Sequence, residues 1–232
     1  MTWVHALISF AMTLQTIEML MIQKMTWSRD PWSRQNQSWR QQVLVLILLL
    51  RLMAALLGVI MPSALSAGVM LVASLWLVYH YDGLFNGSSD VLAIQVLGAC
   101  LVASLWPQFE KASLIFVAVQ SLMSYFVAGL SKAWRKEWLT GTALYQILRH
   151  SNACQISQLR TFLLNRPGLV LSASIAVIAF ECLFPIVLVK PDLVWIFLIL
   201  GVLFHLGNFM IFGLNRFFFV WMATYPAILL VF

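Results

Sequence analysis

Apolar stretches of about 17 or more residues recur along the whole chain, and a bilayer core takes roughly 20 such residues per helix. Polar clusters divide them into eight runs, at about 1–23, 43–61, 65–81, 91–107, 113–131, 168–189, 193–214 and 217–232. The short links at Pro62 and Pro191 read as helical hairpins. Charged residues make up 9% of the chain and hydrophobic ones 62%, against about 25% and 45–50% in soluble domains. So few charges cannot cover a water-exposed surface for 26.3 kDa, which excludes a soluble single-domain enzyme. The expected fold is all-α: a polytopic membrane bundle of about seven or eight spans plus one interfacial or re-entrant helical segment.

The net charge of +6 would fit nucleic-acid binding only if the cations clustered on a soluble face, and they punctuate the apolar runs instead. No nucleic-acid partner is expected; membrane lipids are. With all eight runs spanning, the loops at 24–42, 82–90, 132–167 and 215–216 share one side and hold 11 of the 14 Lys and Arg residues. The positive-inside rule then places those loops in the cytoplasm and the N-terminus outside. The first cation is Lys24, after the first apolar run, so a cleavable leader is not expected. Cys100, Cys154 and Cys182 show neither CxxC nor paired-ligand spacing, and no metal site or disulfide framework follows.

The first run carries Thr2, His5, Ser9, Thr13 and Thr16 on one helical face and Glu18 on the other, so it either spans inside the bundle or lies at the interface. The stretch 24–42 has four cations and three tryptophans, a composition that suits a headgroup-level segment or a solvated loop. Residues 142–167 are too polar to span but keep apolar residues at helical spacing, as one or two interfacial helices would. The sequons at Asn36 and Asn86 matter only in a lumenal eukaryotic loop and are discounted. A single membrane domain over 1–232 is expected, with 1–42 as an N-terminal helix and basic segment.

Ionisable or amide side chains inside spans are expensive and are functional candidates by default. Arg51, mid-way through the second run, needs a carboxylate or a polar cavity, and Glu18 or Glu181 is the expected partner. Glu181, with Pro185 one turn on, either pairs with Arg51 or carries a proton. His205 and Asn208 lie three residues apart, so they share a face and can hold one ligand or each other. A hydrogen-bonded core histidine is the structural alternative. Lys132 ends the fifth run, where a lysine commonly snorkels to the headgroups.

The run Tyr125-Phe126-Val127-Ala128-Gly129-Leu130-Ser131-Lys132, followed by Trp138-Leu139-Thr140-Gly141, resembles the YFxAGxxK…W..G signature of vitamin K-dependent gamma-carboxylases and their HTTM (horizontally transferred transmembrane domain) relatives. Phe204-His205, Asn208, Phe212-Gly213, Phe217, Met222-Ala223 and Pro226 resemble the same family's FH…N…G.F…M.A..P block, and the turn at 86–90 is similar to that of bacterial members. The likeness covers roughly 43–232. It implies an integral-membrane helical domain, with Lys132 on the lysine that the carboxylases use as base towards reduced vitamin K and His205 on a histidine near their active site.

By the same likeness Tyr125, Trp138 and Asn208 would line a lipid-accessible pocket, and a quinone or vitamin K-like lipid is the implied cofactor. Two differences move the chain away from the full carboxylases. Asn86-Gly87-Ser88 stands where they carry a histidine, and a chain of this length is expected to lack their large extracytoplasmic domain. It is more similar to short bacterial members of the sporulation-delaying toxin B type, which mature an exported peptide with a small partner protein. The resemblance thus implies a bacterial inner-membrane protein that modifies an exported peptide or uses a quinone-like lipid. The alternative is a non-enzymatic membrane subunit, scaffold or chaperone. A small transporter would be expected to show repeated or broken helices.

Overall fold

The structure, a computed structural model, describes all residues except 30–37, 85–86, 151–155 and 213–214. Asn36 and Asn86 of the sequons, Cys154, Gly213 and part of the basic stretch 24–42 lie outside the described residues. The described chain is helical, with no strand: α1 Thr2–Arg29, α2 Ser38–Ile60, α3 Ala64–His80, α4 Ser88–Leu105, α5 Glu110–Ala133, α6 Lys136–Leu139, α7 Thr142–His150, α8 Ser157–Leu164, α9 Pro167–Leu183, α10 Val194–Phe212 and α11 Asn215–Val231.

Each of the eight expected runs coincides with a helix. Among the described residues, six helices are long and apolar enough to cross a membrane, and Ala64–His80 and Phe217–Val231 are shorter apolar ones. The reason is local. Leu, Ile, Val and Met fill these segments, and with no water to bond the backbone, a helix satisfies every N–H and C=O within the segment. The polar stretch 142–167 holds two short helices, α7 and α8. Ser63 starts α3 with a capping box, its Oγ accepting from Ser66 N at 3.2 Å while Ser66 Oγ accepts from Ser63 N at 3.2 Å.

The chain divides into two compact units, Met1–Val117 and Ala118–Phe232. In the first unit α1 packs on α2 and α4, and α3 packs on α2 and α4. The polar face of α1 turns inward: His5, Ser9, Thr13 and Thr16 are all buried. Thr13 and Thr16 donate to carbonyls of their own helix, Ser9 O at 3.0 Å and Met12 O at 2.6 Å. His5 Nε2 lies 3.1 Å from Ser66 Oγ. Burial of this face packs α1 into its unit.

In the second unit side-chain hydrogen bonds join α9, α10 and α11 to the C-terminal half of α5, and the short helices α6, α7 and α8 pack beside α9. Its core is aromatic: Tyr125, Phe184, Trp221 and Tyr225 are buried. Past Glu181 the helix α9 tightens into a 3-10 turn over Phe184–Leu188, at Pro185, because proline has no N–H to continue the α ladder.

Candidate functional site

The second unit gathers most of the chemistry, beginning at a small residue. A Cβ at Gly129 would lie 2.7 Å from Cys182 N and 2.9 Å from Glu181 Cβ, so only glycine lets α5 approach α9 this closely. Lys132 follows on the same face and meets Glu181: Nζ donates to Oε2 at 2.6 Å and to Oε1 at 2.8 Å. The lysine side chain is 18% exposed and the glutamate 4%. Lys132 Nζ also lies 5.3 Å from the centre of the Trp138 ring, a cation–π contact. Trp138 is held in turn by its carbonyl, which accepts from Ser174 Oγ at 2.6 Å, tying α6 to α9.

Two turns back along α5, a rise of about 10 Å, Tyr125 joins two further helices. Its hydroxyl lies 2.6 Å from His205 Nε2 on α10 and 2.8 Å from the Tyr225 hydroxyl on α11. Rings surround this relay: Phe184 stacks on Tyr125 at 4.1 Å and 7°, and Trp221 stacks on His205 at 5.1 Å and 21°. Phe180, next to Glu181 in the chain, meets Tyr125 edge-on at 5.6 Å. A Cβ at Gly201 would collide with the Tyr225 hydroxyl, so this glycine makes room for that end of the relay.

Two buried nitrogens, His205 Nδ1 and Trp221 Nε1, have no hydrogen-bond partner among the described residues. An unsatisfied buried N–H is costly. Asn208 lies one turn beyond His205 and is half-buried, outside the relay. No cluster of three or more His, Cys, Asp or Glu occurs among the described residues, so no metal-holding group is assembled there.

Arg51 and Glu181, expected to pair, each have partners in their own unit. The carboxylate of Glu181 is taken up by Lys132. Arg51 Nη2 donates to Gln15 Oε1 at 2.5 Å, and Gln15 Nε2 donates to Asp90 Oδ1 at 2.9 Å. Arg51 is fully within the fold at 2% exposure, with the thioether sulfurs of Met12 and Met19 also beside the guanidinium. Lys132 does not snorkel as a lone headgroup anchor either, since the ion pair draws it back along its helix.

Of the site residues singled out in sequence, the structure brings Lys132, Glu181 and Trp138 together, and Tyr125 with His205. Sequence reasoning missed Tyr225 and Trp221, which stand in an apolar run where an aromatic side chain reads as core. The pairing of Lys132 with Glu181 was also missed. Its available signal was that Glu181 is the one acidic residue of α9 and Lys132 a cation at the end of an apolar helix.

A sequence profile described as HTTM domain matches residues 69–231. No curated protein and no solved structure matches the chain. The profile takes in Tyr125, Lys132, Trp138, Glu181, His205 and Tyr225 and leaves Arg51 outside. With well over half its length covered and helices of membrane-crossing length and composition, this chain is an integral membrane protein and belongs to the HTTM domain family.

Proposed function

We propose that the second unit is an acid–base site, built on Lys132 and Glu181, that serves a quinone-like membrane lipid in the modification or maturation of an exported peptide. The observation that carries this reading is the two-pronged contact of Lys132 Nζ with the Glu181 carboxylate, within apolar helices and one residue from the ring cluster around Tyr125. A proton passing along the 2.6 Å contact from Nζ to Oε2 leaves a neutral amine beside a neutral acid. That amine can accept a hydroxyl proton, and Glu181 stores the proton it released. Trp138 fixes the amine over its ring, while the Tyr125–His205 pair offers a second hydrogen-bonding end. A bound quinone-like lipid would supply the redox chemistry that these side chains lack. The cation asymmetry supports an N-terminus outside a bacterial inner membrane, with the Lys132 end on the cytoplasmic side.

A non-enzymatic subunit is the second reading, and dense ring packing about Tyr125 favours it, since a scaffold needs rigid helix contacts and no open chamber. One titration separates the two. Purified protein in lipid nanodiscs is titrated with a short-chain naphthohydroquinone, following tryptophan fluorescence and absorbance of the hydroquinone anion. The enzyme reading expects saturable quenching and anion formation in the parent protein, and quenching without anion formation in Lys132→Arg at unchanged melting temperature. Absence of saturable quenching in the parent overturns the quinone reading and leaves the scaffold.

A further inference from the structure

In the first unit, an open groove of about 400 Å3 runs between α2 and α3, lined by residues that include Ile47, Leu50, Leu65, Gly68, Val72 and Trp76. The lining is apolar throughout. Its rim is exposed: Leu65 is 75% exposed, Val72 66% and Leu50 49%. Gly68 lines the groove without a side chain, and an added Cβ there would meet only Leu101 Cδ1 of α4, at an ordinary contact distance of 3.6 Å. On α3 the lining residues 65, 68, 69, 72, 73 and 76 form one stripe at helical spacing.

The two ends of the groove differ. At the closed end α2 and α3 are joined through residues 61–63, where there is no cation. At the open end α2 carries Trp39 and Arg40 in its first turn, and α3 carries Trp76, Tyr79 and His80 in its last turns. Arg40 precedes the lining residue Ile47 by seven positions, two helical turns, and so lies on the same face of α2. Its guanidinium sits 5.4 Å from the Trp39 ring, and His80 stacks on Trp76 at 4.7 Å and 15°. Trp39, Tyr79 and His80 are exposed. An apolar trough that leads to an aromatic belt and an exposed arginine has the layout of one phospholipid, acyl chain inward and phosphate outward.

We infer that the groove between α2 and α3 is a specific site for one anionic phospholipid, its tail on Gly68 and Val72 and its headgroup phosphate at Arg40. Charge complementarity selects the occupant: a partner helix would fill the trough without needing Arg40, whereas an anionic lipid uses both. The site is independent of the Lys132 chemistry, which lies in the other unit.

The test is native mass spectrometry of protein released from nanodiscs of mixed phosphatidylglycerol and phosphatidylethanolamine. One phosphatidylglycerol per chain is expected to survive detergent removal in preference to phosphatidylethanolamine. Arg40→Gln, at an exposed position that leaves folding intact, lowers that preference about fivefold, the effect of one cation near an anionic headgroup. Gly68→Phe, which fills the trough, removes the retained lipid, and its melting temperature reports whether the unit still folds. Retention of phosphatidylglycerol unchanged by Arg40→Gln overturns the proposal. So does photo-crosslinking from position 65 that captures a second polypeptide helix in place of lipid.

Discussion

Lys132 Nζ lies 2.6 and 2.8 Å from the two carboxylate oxygens of Glu181, joining the end of α5 to the last turn of α9 inside the second unit. Breaking one half of such a pair leaves a charge without its counter-ion among apolar side chains, whereas removing both leaves packing alone. Lys132→Met and Glu181→Leu are each expected to destabilise the protein, and the double substitution to recover part of the loss, with a coupling of about 1–3 kcal/mol. Unfolding in bilayer discs measures it. The pair Arg51→Leu and Glu181→Leu should add within about 0.5 kcal/mol, since the two residues have separate partners.

Tyr125 serves two partners and Tyr225 one, so the two hydroxyls are not equivalent. Tyr125→Phe strips both His205 Nε2 and the Tyr225 hydroxyl of their bond, while Tyr225→Phe leaves the 2.6 Å Tyr125–His205 contact in place. A hydrogen bond between membrane helices contributes about 0.6 kcal/mol on average and up to about 1.7. Tyr125→Phe should therefore cost about twice what Tyr225→Phe costs in the same unfolding measurement. Equal losses would mean that the relay does not act as a unit.

The apolar helices were legible in the sequence because hydropathy is a local property: a run such as 193–214 declares itself whatever its neighbours are. The second unit's chemistry was half legible. Tyr125, Lys132, Trp138 and His205 stood out through a family resemblance, but the partner of Lys132 depends on which helices are adjacent, and no single run carries that information. Depth alone pointed Glu181 to Arg51, the more central cation. The close approach at Gly129 decides otherwise, bringing α9 against α5 so that Glu181 meets Lys132. Arg51 could settle on Gln15 because α1 turns its polar face inward, an orientation that sequence did not fix.

Orientation follows from the cation asymmetry and is open to direct test. A single cysteine at Lys136, on exposed α6 and placed in a background with the native cysteines replaced by serine or alanine, should react with a membrane-impermeant maleimide in inverted vesicles and be protected in intact cells. Labelling in intact cells would put the Lys132 end outside. That result would reverse the positive-inside assignment without touching the geometry of the pair.

Gly129 and Gly168 give a matched comparison within the same unit. A methyl at position 129 would sit 2.7 Å from both the backbone nitrogen and the Sγ of Cys182, and backbone cannot step aside as a flexible side chain does. Gly129→Ala must therefore push α5 off α9, at a cost of about 1–3 kcal/mol for overpacking. The same shift draws Lys132 away from Glu181, so the coupling energy between those residues should shrink in the Gly129→Ala background. At Gly168 nothing lies within 4 Å of an added Cβ, and Gly168→Ala should leave both stability and coupling near the parent values. A Gly129→Ala protein that keeps full coupling would show that the helix approach does not set the ion pair, and that Lys132 reaches Glu181 by its own length.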